Sequence, residues 1–99
     1  MKIFKICGQP SKLKIAQNIA EPERSILNQC TGVIDNFLKD KKNIGNISIV
    51  DGDLFGNRDY ISVIHRKPTL IDRVSLLKNG ESPFLRKVYT AIEMLVKDV

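Results

Sequence analysis

Ile47-Ser48-Ile49-Val50 and Tyr60-Ile61-Ser62-Val63-Ile64-His65 lie on either side of Asp51-Gly52-Asp53-Leu54-Phe55-Gly56-Asn57-Arg58-Asp59. The outer runs are rich in β-branched residues and the connector holds the Gly, Asn and Asp of a turn, so the stretch reads as a β-hairpin with a charged tip. Gly56-Asn57 suits a two-residue type II′ turn. Pairing outward from it sets Phe55 opposite Arg58, Asp53 opposite Tyr60, Asp51 opposite Ser62 and Ile49 opposite Ile64. Strand alternation then divides the hairpin into two faces. Val50, Gly52, Leu54, Ile61, Val63 and His65 share the face assigned to the core. Ile47, Ile49, Tyr60 and Ile64 share the other, partly exposed face with Asp51, Asp53, Arg58 and Arg66.

On the N-terminal side, residues 2–7 read as a strand closed by Gly8-Gln9-Pro10. Residues 11–21 satisfy two patterns. Ser11 caps a helix with Ile15, Ala16, Ile19 and Ala20 on one face, whereas Lys12-Leu13-Lys14-Ile15 alternates as a strand; the helix is the preferred reading. Pro22 opens a second helix, in which Ile26, Leu27, Cys30, Val33, Ile34, Phe37 and Leu38 fall on one broad stripe. Its end carries Lys39, Lys41 and Lys42, which complement the helix dipole.

Beyond the hairpin, residues 69–78 place Leu70, Val74 and Leu77 at helical spacing up to Asn79-Gly80. Ser82-Pro83 opens a last helix with an inner stripe of Leu85, Val88, Ile92, Leu95 and Val99. The expected fold is a single α+β domain over residues 1–99. Its small antiparallel sheet is made of the N-terminal strand and the hairpin 46–67, packed by about four helices. Strand, helix, helix, strand, strand, helix is also the element order of a type I KH domain. The junction Ala20-Glu21-Pro22-Glu23-Arg24 has two acids where that fold's GXXG loop clamps a nucleic-acid backbone, which speaks against that mode.

Composition narrows the function classes. The 42% hydrophobic and 27% charged residues are ordinary for a globular protein. No apolar run approaches the roughly 20 residues that cross a bilayer. The start of the chain is charged and too short for a signal peptide, so no membrane association and a cytoplasmic location are expected. Cys7 and Cys30 fall short of a secreted disulfide framework and read as small buried hydrophobes. A net charge of +5 favours anionic partners, moderately.

No catalytic constellation emerges. Counted from Asp51, the loop matches an EF-hand at positions 1, 3, 6, 7 and 9, but Phe55 and Ser62 occupy positions 5 and 12, so no metal is assigned. The one histidine disfavours zinc. His65 beside Arg66 and Lys67 fits the general base of a metal-free nuclease, with Arg86, Tyr89 or Glu93 as conceivable helpers. A partly buried, hydrogen-bonded histidine explains it more simply. No cofactor is expected. The leading expectation is a non-enzymatic binding or regulatory protein acting through protein contact, with self-association as a homodimer a further option and the oligomeric state open. Its binding residues are taken as Asp53, Arg58, Tyr60, Arg66 and Lys67. The alternative is nucleic-acid binding through a basic face that includes Lys12 and Lys14; a small nuclease is the remote third.

Overall fold

The computed structural model describes residues 12–41, 44–66, 71–79 and 83–97. In chain order these form β1 (Leu13–Ile15), α1 (Glu23–Lys39), β2 (Asn46–Asp51), β3 (Tyr60–Arg66), β4 (Ile71–Leu77) and α2 (Phe84–Val96). The strands make one sheet in the order β1-β2-β3-β4. β1 runs parallel to β2, and the other two pairings are antiparallel. The domain is α+β as expected, but the sheet is mixed, and two helices rather than about four are found among the described residues. The expected strand over 2–7 lies outside them.

Two segments read as helix are strands, which accounts for the difference. At 11–21 the alternation of Lys12 to Ile15 prevails because Leu13 and Ile15 gain Ile47 and Ile49 as register partners on the core face. α1 then crosses back as the connection of a parallel β-α-β unit. Arg24 fixes the start of that connection by donating to the carbonyls of Ala16, Gln17 and Ile19. At 69–78 helical spacing and strand alternation coexist. β4 forms because every residue from Ile71 to Leu77 pairs with β3. Short apolar runs of this kind are decided by tertiary partners.

α1 begins one residue after Pro22, and Glu21 caps its first turn, accepting from the Ser25 backbone N–H at 3.0 Å and hydroxyl at 2.6 Å. Leu27, Cys30, Ile34 and Leu38 point into the core, whereas Val33 and Phe37 of the same stripe are exposed. α2 buries Phe84, Val88, Ala91, Ile92, Leu95 and Val96. Both helices pack on the sheet face formed by Ile47, Ile49, Ile61 and Val63. Each fully buried aliphatic side chain there contributes about 1.5–3 kcal/mol relative to exposure.

The hairpin register is one residue away from the expected one. Ile49 pairs with Val63 and Asp51 with Ile61. No two-residue turn forms. Residues 52–59 make a longer loop, in which Gly52 and Gly56 take φ of +90° and +83°. The Asp53 carboxylate stabilises that loop by accepting from the backbone N–H of Phe55 at 2.9 Å and of Asn57 at 2.8 Å, a local closure that competes with tight-turn geometry. A one-residue shift exchanges the faces of one strand relative to its partner. Ile61, Val63 and His65 are therefore core as read, but Ile47 and Ile49 join them in place of Val50 and Leu54. Leu54 is exposed at the loop tip.

Candidate functional site

Three surfaces come out of this fold. The first is the tip of the β2–β3 loop, where the residue pattern placed the site. Asp53 is occupied as the loop's internal cap. The Arg58 guanidinium donates to Asp51 at 2.9 Å, and Lys78 meets the other oxygen of that carboxylate at 2.6 Å. The Asp51 side chain is only 4% exposed. Hydrogen bonding from Lys78, helped by Arg58, holds its carboxyl below the usual range against the upward push of burial. These acids serve protein donors, which is a scaffold's chemistry. The scaffold presents Leu54 and Phe55 to solvent.

The second surface is the sheet face opposite the helices. Alternation and register place Lys14, Ser48, Val50, Tyr60, Ser62, Ile64, Arg66, Arg73 and Ser75 on it. Ser62 and Ile64 are buried within it, and Tyr60 is half-buried. Tyr60 and Arg66, both expected binding residues, share this face but occupy opposite ends of β3. A cavity of about 660 Å³ opens over β1 and β2, lined by Lys12, Lys14, Asn46, Ser48, Val50 and Arg66 among others. Lys12, Lys14 and Arg66 thus converge, while Arg58 belongs to the loop and Lys67 lies outside the described residues. The strand alternation at Lys12 to Ile15 is the sequence signal for this convergence, and a helix over 11–21 hides it.

The third surface is a groove of about 670 Å³ between α1 and α2. Ile34 and Ile92 form its buried floor, with Val33, Phe37, Leu85 and Tyr89 as walls and Arg86 and Glu93 at the rim. The Lys41 ammonium sits 5.1 Å from the centre of the Phe37 ring, a cation–π contact at one end. By helical spacing alone Val33, Phe37 and Leu85 belong to inner stripes, so the groove is not apparent. The available signal is that seven apolar residues on α1 make a stripe wider than one core contact needs.

His65 is fully buried on the core face, opposite Ile47, and its Nε2 accepts the Gly45 N–H at 3.3 Å. That position lies away from the exposed Arg66 and from any surface a substrate reaches. Cys30 is also buried; its thiol donates to the Leu27 carbonyl at 3.3 Å, and burial pushes its pKa up. No cluster of three or more His, Cys, Asp or Glu side chains that would hold a metal ion occurs among the described residues. None of their helices is long and apolar enough to cross a membrane. Comparison with protein-family models, curated proteins and solved structures finds no match.

Proposed function

We propose that this is a non-enzymatic binding protein that acts through protein contact, taking an apolar segment of its partner into the α1–α2 groove. The groove itself carries this reading: Val33 is 62% exposed and Phe37 40% beside a concave apolar floor. An apolar centre with a charged rim is the anatomy of a protein interface. A groove with walls supplied by two helices suits the apolar face of a peptide. Exposed apolar side chains gathered along one groove mark an interaction site, whereas the same residues scattered singly would need no explanation. For this reading the contact residues are Val33, Phe37, Leu85 and Tyr89 rather than the expected Asp53, Arg58, Tyr60, Arg66 and Lys67.

The test places a photo-crosslinking residue at groove position 37 and, as a control, at exposed position 39 on the same helix. One partner protein captured from position 37, lost on Val33→Glu and unaffected by Lys39→Glu, is the expected result. Val33 is exposed, so Val33→Glu keeps the fold, checked by thermal unfolding. Capture that is equal from both positions, or that survives Val33→Glu, overturns the groove reading. A crosslink between two copies of the chain would identify the partner as a homodimer.

A further inference from the structure

We infer that the face of the sheet turned away from the helices, with exposed cations around the buried Ser62 and Ile64, binds the sugar–phosphate backbone of single-stranded nucleic acid. This surface is independent of the α1–α2 groove, being on the opposite side of the sheet. Register carries the first step. Lys14 pairs with Ser48, Ser48 with Ile64, and Ile64 with Arg73, so these four form one transverse row with a cation at each end. At the usual strand spacing that row spans about 14 Å. Arg66 stands in the adjacent row, paired with Asn46.

Charge sign carries the second step. Among the described strand residues the two carboxylates, Asp51 and Asp72, project from the helix-covered face. The open face holds Lys14, Arg66 and Arg73 with no acid among them. The cavity beside this row adds Lys12, and no acid lines it. Four cations without an interleaved carboxylate are an unusual distribution for a chain with eleven Asp and Glu, and the field over such a face attracts a polyanion.

The cations are also placed in advance. Lys12 Nζ donates to the Lys41 carbonyl at 2.8 Å, and Arg73 Nη1 donates to the Ser62 hydroxyl at 2.9 Å. Ser62 in turn donates to the Gly52 carbonyl at 2.7 Å. Each head group retains further N–H donors for phosphate oxygens. Ser48 and Asn46 supply neutral donors between them.

The apolar content of the face selects single strands. Ile71 is 60% exposed and Leu77 43%, both on the open side of β4, on the same face as Arg73. A duplex keeps its bases stacked inside and offers these side chains only sugars and phosphates. An unpaired strand has base faces free to stack on Tyr60 and the Arg guanidinium planes of the same face and to meet these aliphatic side chains, while its phosphates meet the cations.

The experiment is fluorescence anisotropy with labelled single-stranded RNA and DNA of roughly 16 nucleotides, the upper site size for one small domain, and the matching duplexes. Salt is varied from about 50 to about 200 mM; four neutralised phosphates on a single strand predict a slope of log K on log salt of about −3. The double variant Lys14→Glu/Arg66→Glu is compared with Lys39→Glu/Lys97→Glu, which changes net charge equally at exposed positions at the C-terminal ends of the helices. Both are checked for unchanged unfolding. At least tenfold weaker single-strand binding in the sheet variant, with the helix variant close to wild type, is the expected result. The inference is overturned by no binding at the lowest salt, by equal losses in the two variants, or by duplex binding as tight as single-strand binding. Equal affinity for polyglutamate or anionic vesicles overturns it as well.

Discussion

The Asp51 carboxylate meets the Lys78 ammonium at 2.6 Å, which ties the last residue of β2 to the residue after β4 with β3 lying between them. Arg58 reaches the same carboxylate from solvent, with its side chain 73% exposed against 17% for Lys78. The two partners therefore differ in worth. Loss of Asp51 strands a largely buried ammonium, whereas an exposed guanidinium contributes little. Asp51→Ala is expected to cost about 3 kcal/mol, and Arg58→Ala less than about 1 kcal/mol. Urea unfolding of both variants at neutral pH checks the ratio.

The same pair sets an acid limit. The folded pKa of Asp51 is depressed, so its stabilisation is fully present above the unfolded value near about 3.9 and is lost as pH falls through the folded value. The stability gap between wild type and Asp51→Asn should stay constant from neutral pH down to about 5 and close below about 4. A gap that persists unchanged at the acid end would mean that Lys78 contributes through packing and not through charge.

The shifted hairpin register makes a prediction that separates two adjacent residues. Ile49 is fully buried between the helices and the sheet, and Val50 faces the open side. Ile49→Ala should cost about 2–5 kcal/mol, and Val50→Ala about 1 kcal/mol or less, within the range of strand preference alone. Had Gly56-Asn57 formed the expected two-residue turn, the order would be reversed. Chemical denaturation of the two variants decides it.

This hairpin also marks how far residue patterns reach. The two strands, α1 and α2 are legible because each has one dominant periodicity: Leu27, Cys30, Ile34 and Leu38 fit only a helix, and Ile61, Val63 and His65 only a strand face. β4 is not legible, since Val74 and Leu77 satisfy a helix while Val74 and Leu76 satisfy a strand. The tie is broken by β3, through pairing that no local pattern encodes. The register escapes a sequence reading because Asp53 closes the loop through side-chain hydrogen bonds that no turn dipeptide announces. The basic face follows the register and the strand character of β1 and β4: Lys14, Arg66 and Arg73 share a surface although they are scattered along the sequence.

Two glycines should respond in opposite directions to the same substitution. Gly32 lies inside α1, exposed, and a Cβ there meets nothing within 4 Å. Gly32→Ala is expected to stabilise the protein by about 0.8–1 kcal/mol through helix propensity. Gly52 has room for a Cβ but sits at φ +90°, where an L side chain is strained. Gly52→Ala should destabilise by about 1–2 kcal/mol. Thermal unfolding of the pair provides the comparison, and equal signs would contradict the loop conformation.

Cys30 should be chemically quiet. It is buried on the inner face of α1 and its pKa is raised above the ordinary 9.0 by burial, so both access and thiolate fraction are low. In a Cys7→Ser background, labelling by an aromatic disulfide reagent at pH near about 8 should proceed only at the rate of opening, and at full speed in denaturant. Fast labelling of the folded variant would place Cys30 at a solvent-reachable position.

His65 offers the sharpest separation between a structural and a chemical role. Its ring is fully enclosed between Ile47 on β2 and Asp72 on β4, and Nε2 is engaged by the Gly45 N–H. Truncating it removes an imidazole from a packed layer and leaves that N–H without its acceptor. His65→Ala is therefore expected to lose about 2–4 kcal/mol, the range of large-to-small core changes. His65→Gln, which returns an acceptor, should recover part of the loss. A catalytic histidine behaves in the opposite way: stability survives the substitution and activity falls by orders of magnitude. Urea unfolding run beside an RNA-cleavage assay on the same preparations distinguishes the two. Cleavage that copurifies with the wild type and vanishes in a fully stable His65→Ala protein would require the ring to reach solvent, and with it a different packing of β3 against α2.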